Sequence, residues 1–534
     1  MRSGLADAQE WPKHIAAWMF GLLTAYFVAQ VVLRSVYTTS LTVDEAEMIV
    51  LTQAFTPGYG GSQPPLYPWL QIGAFQLLGV GIPALAIVKY LLLWTTFVFM
   101  FLSARLVLGD DIKAALTTIA LFVIPQISWK SQFDLTHTVL AVMIAAMSLY
   151  FFLRLLKEGK WLDYIAFGAT FGLGTLSKYS YTGFAVALLA AAATIPPFRQ
   201  RLMSVRMLAA LGLGLIVLLP HLEWLWSHPA ALTTRAFKFQ IAAGDVGPVT
   251  AWGRGLLGIF KGLVSSAALT IAVFALIAFL PWSNSRLSRS DHVAAAGWLE
   301  GKQLILRTFG ISLGLVLILV LTTRTTELRD HWLQPLVLVL PLGLFILLES
   351  RFTAAKMKVL ALVSGGLALA AMVGLAVTHL FPDLSGQPTR ATAPYGALAM
   401  AIRNLGFAQG YILADNTHTA GNLKLRFSQS MAAEPQYGMG RRQETEPPKS
   451  LLIAWSGTDP TMPEQLKALW RELCGGEAEV NRPATPVTAF YEHSKRIPFT
   501  LQVIVTPMCK SSKREIESSS AMPDNLATLL DSNR

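Results

Sequence analysis

Apolar residues along this chain come in runs of about twenty, each enough to cross ~30 Å of hydrocarbon as a helix. Spans are expected at about 14–36, 82–107, 113–129, 134–154, 162–178, 181–197, 207–226, 255–280, 304–322, 333–349 and 359–381, eleven in all. A composition of 53% hydrophobic and 14% charged residues fits this reading, since soluble chains carry nearer a quarter charged residues. No cleavable signal is expected, because the first run is too long and no small-residue site closes it. The net charge of +11 therefore bears on membrane topology rather than on nucleic-acid binding.

Lys and Arg gather in alternate loops. With the N-terminus inside, the inner loops hold Lys113, Lys157, Lys160, Arg199, Arg201, Arg206, Arg286, Arg289, Lys302, Arg351, Lys356 and Lys358. The outer loops hold only Arg34, Lys130, Lys178, Arg235, Lys238, Arg324 and Arg329. An odd number of spans then puts the C-terminal part outside, on the face that also receives Asp44, Asp134, Lys178 and His331. The expected division is a transmembrane domain over 1–381 with its first outer loop at 37–81, an outer α/β domain over 382–510, and a disordered polar tail over 511–534. The α/β reading rests on short β-like runs at 411–414, 451–454, 488–491 and 501–505. Helical stretches near 394–406, 416–427 and 463–474 alternate with them. Cys474 and Cys509, the two cysteines, could pair if that domain meets an oxidising compartment, or could stay as separate thiols.

The first outer loop carries the chemistry-bearing residues. Asp44 and Glu45 open a short helix over 44–56, capped by Thr42 or Asp44 and broken at Pro57-Gly58-Tyr59-Gly60-Gly61. A carboxylate at a bilayer surface can take a proton from an acceptor hydroxyl, contact a sugar or hold a cation. One of two adjacent carboxylates in a partly desolvated site is expected to keep its proton. The plainer alternative is a helix cap with acidic residues complementing the dipole. Gln63-Pro64-Pro65-Leu66-Tyr67 follows, with the prolines fixing an extended approach and then launching a helix. That helix, Leu66 to Leu78, is too short to span and is expected in the interface, with Tyr67 and Trp69 at headgroup level.

Other residues have structural alternatives of their own. Asp134 could cap a helix, and Lys178 could snorkel from a helix end. Arg329-Asp330-His331-Trp332 could be an interfacial belt. His221 and Glu223 could contact substrate but read better as a structural polar pair, while Arg235 and Lys238 either bind an anionic acceptor or are solvated.

With Asp44-Glu45-Ala46 after the first span and then G-Y-x-x-x-Q-P-P-L-Y, the chain resembles the GT-C membrane glycosyltransferases. The branch is that of protein O-mannosyltransferases, the aminoarabinose transferase of lipid A and the galacturonic-acid transferases of lipopolysaccharide. Phe133-Asp134-Leu135, the Gly174 to Tyr179 stretch, Pro220 to Trp224 and His331-Trp332 extend the resemblance over most of the chain. It implies a polytopic α-helical membrane protein of GT-C fold with a small C-terminal α/β extracytoplasmic domain. It also implies a polyprenyl-phosphate-linked sugar donor, inversion at the anomeric carbon, and a glycolipid or protein acceptor at the outer face of a bacterial inner membrane. Asp44 would be the principal catalytic carboxylate, Glu45 its neighbour and Asp134 the second outer acid. Tyr59, Gln63, Tyr67, Lys178, Arg329 and His331 would lie by the donor phosphate. Gln63 departs from the aminoarabinose transferases, which have Lys there, so the phosphate charge would fall more to Lys178, Arg329 or His331.

A divalent cation at Asp44, Glu45 and Asp134 is left open, with no ligand spacing to argue for it. The competing class is a transporter or flippase of lipid-linked substrates. Transporters place charge near mid-bilayer and often carry repeats, whereas this chain has its charges at helix ends and no repeat. No nucleotide-binding glycine loop is present.

Overall fold

The computed structural model describes residues 14–60, 63–229, 231, 247–281, 297–326, 330–385, 388–437, 450–474, 483–494 and 496–508. Arg235, Lys238, Arg329, Cys509 and the 511–534 tail lie outside the described residues. Cys474 is disulfide-bonded.

Among the described residues, eight helices are long and apolar enough to cross a membrane, or nine if one bent pair counts as a single span. The N-terminal part runs through α1 (Ile15–Tyr37), α2 (Val43–Leu51), α3 (Leu66–Leu78), α4 (Ile82–Leu108), α5 (Asp111–Ile119), α6 (Ser131–Phe133), α7 (Thr136–Lys157), α8 (Trp161–Ser177), α9 (Ser180–Ala193), α10 (Pro196–Leu202) and α11 (Val205–Ser227). Long helices follow at Pro248–Phe279, Leu299–Thr323 and Ala354–Leu380. At 17 and 14 residues, α8 and α9 are shorter than an ordinary span. α4 and α7 are the most enclosed, with 61% and 72% of their apolar windows buried, and they centre the bundle.

The expected straight span over 113–129 is instead broken, with a 71° bend between Asp111–Val123 and Gln126–Phe133. Pro125 stands at the break between a 3-10 turn (Ala120–Val123) and a π turn (Gln126–Lys130). Lacking an N–H, proline cannot continue the helical ladder across such a point. The chain then turns through Asp134 in extended conformation and Leu135 at φ 74° before α7 starts. That turn sets the direction of the Asp134 side chain.

The C-terminal part forms a five-stranded sheet in the order β2-β1-β3-β5-β4. Its strands are β1 (Tyr411–Ala414), β2 (Met431–Ala433), β3 (Ser450–Ser456), β4 (Thr485–Phe490) and β5 (Pro498–Pro507). β2, β1 and β3 are parallel, while β5 pairs antiparallel with β3 and β4. Alternate residues of β3 feed two cores: Leu452 and Ala454 face Leu398, Ile402 and Leu423, and Leu451 and Ile453 face Leu466, Leu469 and Trp470. The expected runs at 411–414, 451–454, 488–491 and 501–505 fall on or overlap β1, β3, β4 and β5. The three-residue β2 had no signal of its own.

This domain is docked on the first loop. The helix Thr417–Arg426 crosses α2 so closely that a Cβ on Gly421 would lie 2.4 Å from the Ala46 carbonyl oxygen. Leu41 N donates to Asn422 Oδ1 at 2.8 Å, and Arg426 Nη2 to the Thr39 carbonyl at 2.7 Å. Gln53 pairs with the backbone of Ala432 through two bonds of 2.8 Å. Any side chain at Gly421 must therefore push the domain off α2. Gly421→Val is expected to cost about 1–3 kcal/mol and to lower the thermal unfolding midpoint in detergent. Gly183→Ala, with open space around it, is expected to leave the midpoint unchanged.

Candidate active site

Thr42, rather than Asp44, caps α2. The Thr42 side chain takes the N3 backbone N–H, and Glu45 at N3 reaches back to the Thr42 N–H at 3.0 Å, completing a capping box. Successive helix residues diverge by about 100°, so this geometry separates the two acidic neighbours. Glu45 is sealed at 1% exposure. Arg34 Nε donates to its Oε1 at 3.1 Å, Arg34 Nη2 pairs with Oε2, and Lys89 Nζ stands 3.8 Å from Oε1. Burial pushes the Glu45 carboxyl up, but the charges of Arg34 and Lys89 outweigh it and hold the group down at about 2.

Asp44 points the other way and stays partly exposed, as does Asp134. The two segments brace each other. Thr136 N donates to Asp44 Oδ2 at 3.1 Å, while Asp44 N and Thr42 Oγ1 donate to Asp134 Oδ1 at 3.3 and 3.0 Å. Burial raises the pKa of Asp44 against the opposing pull of Lys178, and burial with the negative charges of Asp44 and Glu45 raises Asp134 well above the usual range. Of the two adjacent carboxylates it is thus Asp44 whose pKa is raised, while Glu45 is neutralised by two cations. Asp134, from another segment, is raised as well.

Lys178 sits at the C-terminal end of α8, 5% exposed, and donates to Thr138 Oγ1 at 2.5 Å. His331 lies on the short turn Asp330–Trp332. Burial lowers its pKa, and both Lys178 and Asp44 act on it electrostatically. Asp330 next to it is held by Lys130 and accepts from Ser265 Oγ at 2.7 Å. Asp44, Asp134, Lys178 and His331 are therefore gathered at one end of the bundle from four stretches of sequence.

The flanking loop is tethered rather than open. His221 accepts or donates at both ring nitrogens, 2.7 Å from the Pro57 carbonyl and 2.7 Å from Tyr179 Oη. The Trp224 ring lies where a Cβ on Gly58 would be, 2.1 Å from its nearest atom, so only glycine fits there. Glu223 is exposed and does not join His221 as a buried pair. Tyr59 Oη donates to the Ala54 carbonyl at 2.9 Å, and Gln63 is half-buried just before the two prolines. Tyr67 is not at headgroup level as expected. It is fully buried, its hydroxyl has no partner among the described residues, and its ring centroid is 5.5 Å from that of His137. Trp69 Nε1 donates to the Thr56 carbonyl at 2.8 Å, so it pins the same loop. Among the described residues no three His, Cys, Asp or Glu side chains converge to hold a metal.

A family model described as dolichyl-phosphate-mannose-protein mannosyltransferase matches residues 62–224. The lipopolysaccharide core galacturonosyltransferase RgtB of Rhizobium johnstonii is 31% identical over 484 residues, covering 89% of this chain and 94% of the relative. RgtA of the same organism is 30% identical over 465 residues, covering 84% and 89%. The chain belongs to the GT-C membrane glycosyltransferases. Its fold agrees with the crystal structure of ArnT from Cupriavidus metallidurans bound to undecaprenyl phosphate, with a TM-score of 0.55 at 13% identity over 91% of this chain and 98% of that one.

Lys89 escaped the sequence reading of this glycosyltransferase, and Arg34 was counted there only as an outer-loop cation, whereas it lies buried in the last turn of α1. Arg34 and Lys89 are buried cations at helix positions within or beside apolar runs, where a charge is costly unless paired. That cost was the available signal. Glu45→Gln is expected to destabilise the protein by about 3–5 kcal/mol, because it strands two buried cations, whereas Asp44→Asn should leave stability intact or raise it. Thermal unfolding of both variants in detergent checks this. The Glu45 contribution should be complete above the ordinary glutamate pKa of about 4.5 and fade as pH falls toward about 2.

Proposed function

We propose that this glycosyltransferase moves a sugar, galacturonic acid, from a polyprenyl-phosphate donor to the lipopolysaccharide core at the outer face of the bacterial inner membrane. The relatives' names supply the sugar and acceptor, and the undecaprenyl phosphate bound by the ArnT neighbour supplies the donor class. The observation that carries the reading is the division of labour among three acids. Glu45 is sealed against Arg34 and Lys89, while Asp44 and Asp134 remain partly exposed beside Lys178 and His331. The excess of Lys and Arg in alternate loops supports a cytoplasmic N-terminus and a periplasmic sheet domain.

In this mechanism the acceptor is a hydroxyl, and Asp44 takes its proton as the new glycosidic bond forms. Attack on the face opposite the leaving phosphate inverts the anomeric carbon. Lys178 favours the ionised form of Asp44 and stabilises the charge that grows on the departing polyprenyl phosphate. Asp134 accepts from the Asp44 backbone N–H and so fixes the Asp44 backbone. His331 is a second donor to the phosphate, with Tyr59 and Gln63 lining its approach; the fully buried Tyr67 does not reach it. Gln63 offers an amide where a cation would otherwise stand, which leaves Lys178 the larger share of the charge.

Purified full-length protein with a polyprenyl-phosphate galacturonate and lipopolysaccharide core provides the assay. Asp44→Asn should lower kcat/KM by about 10²–10⁴-fold, and Lys178→Met by about 10²–10³-fold. The acid limb of kcat/KM should lie above the ordinary aspartate pKa of about 3.9, since activity needs Asp44 deprotonated and its pKa is raised. Lys178→Met removes a positive charge that holds Asp44 down, so the limb should move to higher pH. Undiminished transfer by Asp44→Asn would overturn the assignment.

A further inference from the structure

A cavity of about 620 Å³ opens at the other end of the bundle, lined by residues that include Lys157, Tyr164, Arg201, Arg206, Trp298 and Glu300. The 22-residue α7 starts beside Asp44 and ends at Lys157, which places the cavity about 30 Å from the carboxylates. It sits where α7, α8, α10, α11 and the helix Leu299–Thr323 meet or begin. By the distribution of basic residues, this is the cytoplasmic side.

Its two arginines are built in, while Lys157 stands exposed at the rim. Gly159, at φ +70° in the turn between α7 and α8, lets the Arg201 guanidinium lie against the backbone, with Nη1 1.8 Å from where a Cβ would be. Arg206 Nη1 donates to the carbonyl of the same glycine at 2.5 Å, and its guanidinium stands 5.4 Å from the Trp161 ring centroid. The Arg201 carbonyl accepts from Tyr164 Oη at 3.2 Å and from Ser204 Oγ at 2.7 Å, which fixes that backbone. Lys157 Nζ lies 5.6 Å from the centroid of Trp298. Among the described residues none of the three cations forms an ion pair within 4 Å. Glu300 is the one acidic residue on the wall, against Lys157, Arg201 and Arg206.

Exposed apolar side chains stand beside the cavity, among charged neighbours such as Lys160 and Arg199. Trp161, Leu162, Met203 and Val205 are 50%, 71%, 84% and 74% exposed at the starts of α8 and α11. Exposed apolar side chains at the ends of membrane helices face lipid, so a headgroup can enter from the side while its acyl chains lie along α8 and α11. Planar guanidinium forks suit phosphate oxygens, and basic pockets between helices on the cytoplasmic side suit anionic headgroups. We propose that the cavity framed by Lys157, Arg201 and Arg206 binds the phosphate headgroup of an anionic phospholipid of the cytoplasmic leaflet. A free phosphate shares the chemistry but gains nothing from the apolar side chains beside the cavity.

Native mass spectrometry of the full chain in detergent, titrated with phosphatidylglycerol and with phosphatidylcholine, tests this. The wild type should retain phosphatidylglycerol in preference. Arg201→Gln with Arg206→Gln should weaken that binding about thirtyfold, and Lys157→Gln about fivefold, with phosphatidylcholine unaffected. Equal retention of phosphatidylglycerol by wild type and variants would overturn the site. Displacement of the lipid by inorganic phosphate would overturn its assignment to a lipid. Lys157 is exposed at the end of α7, so if the double variant fails to fold, unchanged binding by Lys157→Gln alone would also overturn it.

Discussion

The ion cluster of Glu45 with Arg34 and Lys89 is the constraint from which the site follows. It ties α2 to α1 and α4 in a sealed environment where an unpaired charge would be costly. Because Glu45 also closes the capping box with Thr42, the same carboxylate sets where α2 starts and how it is rotated. Rotation is what matters for chemistry. With Glu45 turned inward, its predecessor can only face the opening, toward Asp134 and Lys178. An acidic dipeptide thereby becomes one structural strut and one accessible carboxylate.

Around that strut, separate parts of the chain hold the candidate active site in shape. The Pro125 break and the left-handed Leu135 swing Asp134 toward Asp44. His221, Trp224 and Trp69 fasten the loop at Thr56–Gly58 from α11 and α3. The sheet domain covers the far side of α2 and bonds to Thr39, Leu41 and Gln53. Such tethering suits a reaction in which little covalent assistance is available and positioning of donor and acceptor carries much of the rate.

Much of this was legible from the residues alone. Helix spacing gave the bundle, because hydrocarbon thickness dictates run length regardless of partners. Leu66–Leu78 was read to its ends from the two prolines before it and the length of its apolar run. That Asp44, Asp134, Lys178 and His331 share one face followed from loop charge and topology; how close they come did not. What could not be read was angular. Whether Glu45 or Asp44 faces inward depends on Arg34 and Lys89, residues 11 and 44 positions away from Glu45, and no local pattern encodes that pairing. Tyr67 was placed at the headgroups because aromatic residues usually sit there, yet α3 packs that face inward. The 71° bend was hidden because a proline in an apolar run signals a kink without its size, and β2 was too short to show a period.

The close crossing at Gly421 and Ala46 has a bearing on how this enzyme could diversify. With no side chain between the two helices, the first outer loop and the sheet domain share one surface rather than meeting as independent modules. New acceptor preferences would then have to arise through paired change on both sides of that seam, and a hybrid that borrows only one half would inherit mismatched faces.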